Sequence, residues 1–89
     1  MQRRHVNYRG RVQGVGFRYT ARQVAQDYDV TGYVKNLADG SVELVVEGRA
    51  DEVNRFLGDL ESRLDRYILD KSIDTLAASG EFSGFEIRF

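Results

Sequence analysis

The sequence predicts an α+β sandwich, an antiparallel sheet with two helices packed on one face. Three observations carry the prediction. Apolar and polar residues alternate in several short stretches, which is the period of a half-buried strand. Two longer stretches repeat their apolar residues at helical spacing. An Asp39-Gly40 pair joins two of the alternating stretches, as a hairpin turn would.

Residues 5–12 place Val6, Tyr8, Gly10 and Val12 on one face and His5, Asn7, Arg9 and Arg11 on the other, so they read as a strand with a polar outer side. Residues 19–28 repeat Ala21, Val24, Ala25 and Tyr28 along one helical stripe. Residues 30–37 form a second strand, with Val30, Gly32, Val34 and Asn36 in phase, and residues 41–48 a third, with Val42, Leu44 and Val46 inward. Residues 50–65 carry Val53, Phe56, Leu57, Leu60 and Leu64 at helical spacing. Asp51 and Glu52 in the first turn and Arg63 and Arg66 near the end complement the helix dipole. Between Tyr67 and Ala78, Ile68 and Ile73 suggest a strand, and Lys71 breaks the alternation. Gly80, Ser83 and Gly84 mark a loop, and residues 85–89 a short final strand.

The order is therefore βαββαβ with an extra edge strand. Two split βαβ units with right-handed crossovers give a ferredoxin-like sandwich. In that topology the first and second strands run in the same direction with the third between them. Their C-terminal ends lie at one edge of the sheet, so the loop at residues 13–17 and Asn36 are expected to meet.

Composition narrows the possibilities. The 89 residues, 42% of them hydrophobic, suffice for one modest core, and residues 1–89 read as a single domain. No cysteine is present, which excludes disulfides, thiolate nucleophiles and iron–sulfur clusters. No apolar run approaches the roughly 20 residues of a membrane span, so a cytoplasmic protein without membrane contact is expected. Residues 1–26 hold six arginines (Arg3, Arg4, Arg9, Arg11, Arg18 and Arg22) and no acid; of the 13 basic and 14 acidic residues in all, the remainder holds seven and fourteen. This asymmetry suits a small anion near the N-terminal end, and solvated strand faces would explain it equally well.

The segment from Gly10 to Arg18 sharpens the choice. Its glycines let the chain turn so that several amide N–H groups converge. The helix that follows adds unpaired N–H groups and the positive end of its dipole. Arg18 at the helix start supplies a planar fork suited to phosphate. The segment reads as an oxyanion seat.

These residues resemble the acylphosphatases. The first family signature has a strand glycine, any residue, Val-Gln-Gly-Val, any residue, an aromatic and Arg. Gly10-Arg11-Val12-Gln13-Gly14-Val15-Gly16-Phe17-Arg18 matches it at every fixed position. The second signature is met by Gly32, Tyr33, Val34, Asn36, Gly40, Val42 and Gly48, and Gly84-Phe85-Glu86-Ile87-Arg88 is similar to the family's ending. The resemblance covers nearly the whole chain. It implies hydrolysis of the carboxyl–phosphate bond of a small acyl phosphate, with no metal and no cofactor. It also implies that Arg18 and the backbone N–H groups of Gln13, Gly14, Val15, Gly16 and Phe17 bind the phosphate, and that Asn36 positions the attacking water. The chain departs from the pattern at Ala38, where a proline is common, and over Asp65-Arg66-Tyr67-Ile68-Leu69-Asp70-Lys71, where many members have a Gly/Pro-rich connection.

The chemistry of the residues agrees. Phosphoryl transfer needs fixed positive donors around three equatorial oxygens. The leaving carboxylate, with a conjugate acid of pKa about 4, departs without a proton, so no general acid is required. The amide oxygen of Asn36 can accept a hydrogen bond from water and orient it. An Asx turn is the ordinary role for such an asparagine, but its core-side phase with Val34 argues otherwise. The other candidates are blander. His5 reads as a surface residue, Tyr8, Tyr33 and Phe56 as packing, and Lys35 as outward-facing. Thr20 either caps the helix or touches the ligand. A non-catalytic anion-binding or regulatory domain of the same fold is the alternative, and retention of both Arg18 and Asn36 argues for catalysis. An RNA-binding sheet would need an exposed aromatic run on a central strand, which is absent, so no nucleic acid partner is expected. A monomer is the expected state.

Overall fold

The computed structural model describes residues 1–89. The elements, in chain order, are β1 (Gln2–Gly10), α1 (Phe17–Ala25), β2 (Val30–Asn36), β3 (Val42–Gly48), α2 (Ala50–Arg63), a 3₁₀ turn (Asp65–Tyr67), β4 (Ile68–Ala77) and β5 (Phe85–Arg88). The sheet order is β4-β1-β3-β2-β5. β1 pairs antiparallel with β3 and β4, and β2 antiparallel with β3. β3 thus lies between β1 and β2, as the split βαβ reading requires. The added strand β5 runs parallel to β2, from Gly32 against Phe85 to Lys35 against Arg88. The outermost pairing therefore makes the sheet mixed, whereas the sequence reading made it antiparallel throughout.

The core lies between the sheet and the two helices. Val6 and Tyr8 of β1, Val34 of β2, and Val42, Leu44 and Val46 of β3 meet Phe17, Ala21 and Val24 of α1 and Val53, Phe56 and Leu60 of α2. Each fully buried side chain of this size removes enough apolar surface for about 1.5–3 kcal/mol. Tyr8 is buried to its ring and still satisfies its hydroxyl, which donates to Glu61 Oε2 at 2.8 Å. Burial foremost, with Glu61 beside it, pushes the phenol far above its ordinary range.

Strand β1 starts three residues before the alternation begins and stops at Gly10, where the register with β4 shifts. Helix α1 starts at Phe17 because Gly16 is its left-handed cap, and it ends at Ala25. Beyond it, Asp27 and Tyr28 donate three residues back, to Val24 and Ala25, so the helical phase outlives the helix. Tyr28 then meets Phe56 edge-on at 6.3 Å between centroids.

β4 was the faintest element in the sequence, and its place at the sheet edge explains why. Every residue from Leu69 to Ala77 is exposed, so burial imposes no alternation. Lys71, which breaks the pattern, faces back over the sheet and pairs with Glu61 at 2.5 Å. The face of the sheet away from the helices is laced by Arg3–Glu47, Arg9–Asp70 and His5–Glu43 contacts. Two of the N-terminal arginines are thereby spent on cross-strand pairs, which accounts for part of the charge asymmetry without any ligand. No helix is long and apolar enough to cross a membrane.

Candidate active site

The chain leaves the sheet at Gly10 on a fixed base. Arg11 N–H donates to the Tyr67 carbonyl at 2.9 Å, and Val12 is completely buried. Gly14 and Gly16 then take φ of +78° and +77°, the left-handed region. A Cβ at either would meet no atom within 4 Å, so the backbone shape, not crowding, calls for glycine. Phe17 pins the far end of the loop: it is 2% exposed and packs on Tyr8 at 5.2 Å between centroids. Between these anchors the backbone N–H groups of Gln13 to Phe17 find no acceptor within the protein. No side chain caps the N-terminus of α1.

Asn36 is the last residue of β2 and stands opposite Val42. It shares one cleft with Gly14, Gly16 and Arg18, walled further by Val12, Phe17 and Tyr19. The expected approach of the loop and Asn36 across the sheet edge is present. The Oδ1 atom of Asn36 is buried and has no hydrogen-bond partner. Buried amide oxygens are as a rule hydrogen-bonded, so one with no acceptor role inside the protein is available to a donor from outside it. The cleft, about 180 Å³, is smaller than the roughly 300–1,000 Å³ that encloses a whole drug-sized ligand. It takes the head of a substrate and leaves the rest outside. A larger hollow, of about 300 Å³, is lined by the carboxylates of Glu61, Asp65 and Asp70, which suit an anion poorly.

Arg18 enters no ion pair with a carboxylate. Its guanidinium lies over the Phe89 ring, 4.7 Å from the centroid, and Nη1 donates a long bond of 3.4 Å to the Arg88 carbonyl. Those contacts leave the other guanidinium N–H groups without a partner in the protein, and Arg18 lines the cleft. Phe17 contributes through its backbone alone, since its ring is in the core. Val15 packs against the core, and Gln13 turns its side chain toward the β2–β3 turn. Thr20 neither caps the helix nor lines the cleft; the cap is Gly16. The sequence reading missed Tyr19, which is exposed on the rim, and the Phe89 contact. Tyr19 had a local signal, an aromatic beside the helix-start arginine; Phe89 had none.

A loop of unpaired N–H groups, a guanidinium without a carboxylate partner and a buried amide oxygen with no partner in the protein belong to residues that border one small cleft of an α+β sandwich. That is the equipment of a phosphoryl-group hydrolase. The comparisons with known proteins give the particular family. The acylphosphatase family model matches residues 4–87. An acylphosphatase of Oceanobacillus iheyensis is 36% identical over 86 residues, covering 94% of each chain. The crystal structure of the Bacillus subtilis acylphosphatase superimposes with a TM-score of 0.89 at 29% identity, over the full length of both chains. The structure of T.kodakarensis HypF, a longer protein, matches this chain over 12% of its own length and 100% of this one, with a TM-score of 0.84 at 32% identity. The chain belongs to the acylphosphatase family and is thus a hydrolase, an acylphosphatase by class.

Proposed function

We propose that this chain hydrolyses small acyl phosphates by attack of water on phosphorus, with Arg18 and the Gln13–Phe17 amides holding the phosphoryl group and Asn36 holding the water. One observation carries the reading: Asn36, whose buried Oδ1 has no partner within the protein, lines the same cleft as Gly14, Gly16 and Arg18. An oxygen can only accept, so the partner it lacks is a donor such as water, not the phosphate. The water's oxygen forms a bond to phosphorus while the bond from phosphorus to the acyl oxygen breaks. The electron pair leaves on the carboxylate, which needs no proton. The water's proton passes to a phosphoryl oxygen, giving inorganic phosphate. The Arg18 charge and the loop donors match the charge that spreads over the equatorial oxygens. All these groups come from residues 12–36 of one chain, which supports action as a monomer and a single domain carrying the site. We also assign it to the cytoplasm.

The test is hydrolysis of benzoyl phosphate in the presence of EDTA, with Arg18→Ala and Asn36→Ala alongside. The wild type should turn over undiminished, and both variants should be folded and nearly inactive. Phosphate binding without turnover in the wild type would make the domain a non-catalytic anion binder. Analogues with a less basic phosphoryl group should react more slowly, and unchanged rates would remove the substrate's role as proton acceptor.

A further inference from the structure

One side chain ties the oxyanion loop to the strand that carries Asn36. Gln13 Nε2 donates to the Leu37 carbonyl at 2.8 Å and to the Ser41 carbonyl at 2.9 Å. These two carbonyls close the β2–β3 turn. Leu37 N–H donates to Ser41 O at 2.9 Å, and Gly40 N–H to Leu37 O at 3.2 Å. Each carbonyl has two lone pairs; the turn uses one and Gln13 takes the other. Leu37 directly follows Asn36, and Ser41 directly precedes Val42, the residue opposite Asn36 in the sheet. The amide of Gln13 therefore clamps both ends of the turn immediately beyond Asn36, while its main chain is the first link of the loop.

We propose that Gln13 is a positioning residue that sets the span between the oxyanion seat and Asn36. The inference rests on the reading of that site given above. Glutamine suits the task. Its single nitrogen carries two donors in one plane, it reaches two carbonyls at once, and it brings no charge beside the anion. A carboxylate of the same shape has no donor and would face two carbonyl oxygens. Ordinary loop pinning would spread its loss over everything the loop does. A span-setting role instead acts on the alignment of water and phosphorus, because Arg18 and the loop amides still hold phosphate when the clamp is cut.

The experiment uses the full chain with Gln13→Leu and Gln13→Met, both neutral and without a donor, alone and combined with Asn36→Ala. Turnover of benzoyl phosphate and competitive inhibition by inorganic phosphate are measured, with urea unfolding to confirm folding. Both single variants should lose about 10- to 100-fold in kcat, the scale of a small misplacement of reacting groups. Their inhibition constant for phosphate should move by less than about twofold, the scatter of independent sites. In the Asn36→Ala background, Gln13→Leu should change the residual kcat by less than about twofold. Should the leucine variant fail to fold, the methionine variant, unbranched and close to glutamine in length, carries the same comparison. A phosphate constant that rises in step with the loss of kcat would overturn the proposal. So would an undiminished kcat loss in the Asn36→Ala background. An inactive Asn36→Ala beside a fully active Gln13→Leu defeats the Gln13 role alone. A fully active Asn36→Ala defeats the reading of the site together with it.

Discussion

The guanidinium of Arg18 rests on the ring of Phe89, 4.7 Å from its centroid. The contact joins the start of α1 to the residue after β5, and the Arg88 carbonyl at 3.4 Å holds the same guanidinium from its edge. A cation over an exposed aromatic face is worth about 0.5–1 kcal/mol. Phe89→Ala should therefore weaken inhibition by inorganic phosphate about two- to fivefold, and Phe89→Tyr should not. Equal inhibition constants for all three proteins would show that the ring does not orient the arginine.

Gly16 sits at φ +77° and ψ +22° with open space where a side chain would go. Gly16→Ala should lower the free energy of unfolding by about 1–2 kcal/mol, the cost of a left-handed non-glycine residue. If the loop relaxes instead, stability is kept and phosphate inhibition weakens. Urea unfolding and inhibition measured on the same sample distinguish these outcomes. A variant unchanged in both would mean that the left-handed turn is not needed.

The unpaired Oδ1 of Asn36 makes an unusual prediction for stability. Oδ1 bonds to no group of the protein, so removing it breaks no hydrogen bond of the fold and costs only the packing of a half-buried side chain. Asn36→Ala should thus lose less than about 1 kcal/mol of stability while losing at least about 100-fold in kcat. A drop of about 2 kcal/mol or more in stability would show that the amide serves the fold.

Glu47 anchors the opposite end of the sheet. It is 3% exposed and sits on the face away from the helices. Its oxygens accept from Arg3 Nε at 2.6 Å, the Ser79 N–H and hydroxyl, each at 2.9 Å, and the Gly80 N–H at 3.0 Å. Burial opposes ionisation, but these donors outweigh it and hold the carboxyl at about 2, against an ordinary 4.5. A depressed folded pKa means that the stabilisation is complete above the unfolded value and drains away as pH falls through the folded one. The stability gap between wild type and Glu47→Gln should be about 2–3 kcal/mol near neutrality. It should shrink between about pH 4.5 and pH 2. A gap that stays constant with pH would assign the loss to packing.

The frame of the site was legible because it depends on local pattern and topology. Alternation in β1, β2 and β3, helical spacing in α1 and α2, and the rule for split βαβ units together brought Asn36 to the Gly14–Gly16 loop. What stayed hidden lies in side-chain reach between segments distant in sequence. Arg18 and Arg88 are 70 residues apart, and no periodicity encodes their meeting. Glu47 follows the outward phase of β3 and so reads as solvated, yet the segment around Ser79 and Gly80 covers it. The pattern of β5 marked a strand without naming its neighbour, because a run of four residues carries no register. Gln13 was read for its main-chain N–H, while its side chain does the tying.

The central position of β3 has a consequence for the order of assembly. The loop follows β1, Asn36 ends β2, and the two strands touch only through a third made after both. A chain that has formed α1 and the first two strands therefore holds every group of the cleft without holding the cleft. Each half must wait for residues 42–48 to slot between them, and loop closure over such non-local pairings is slow. Catalytic competence should arrive in one step with the completed sheet, so that activity regained during refolding clocks the whole molecule rather than any part of it.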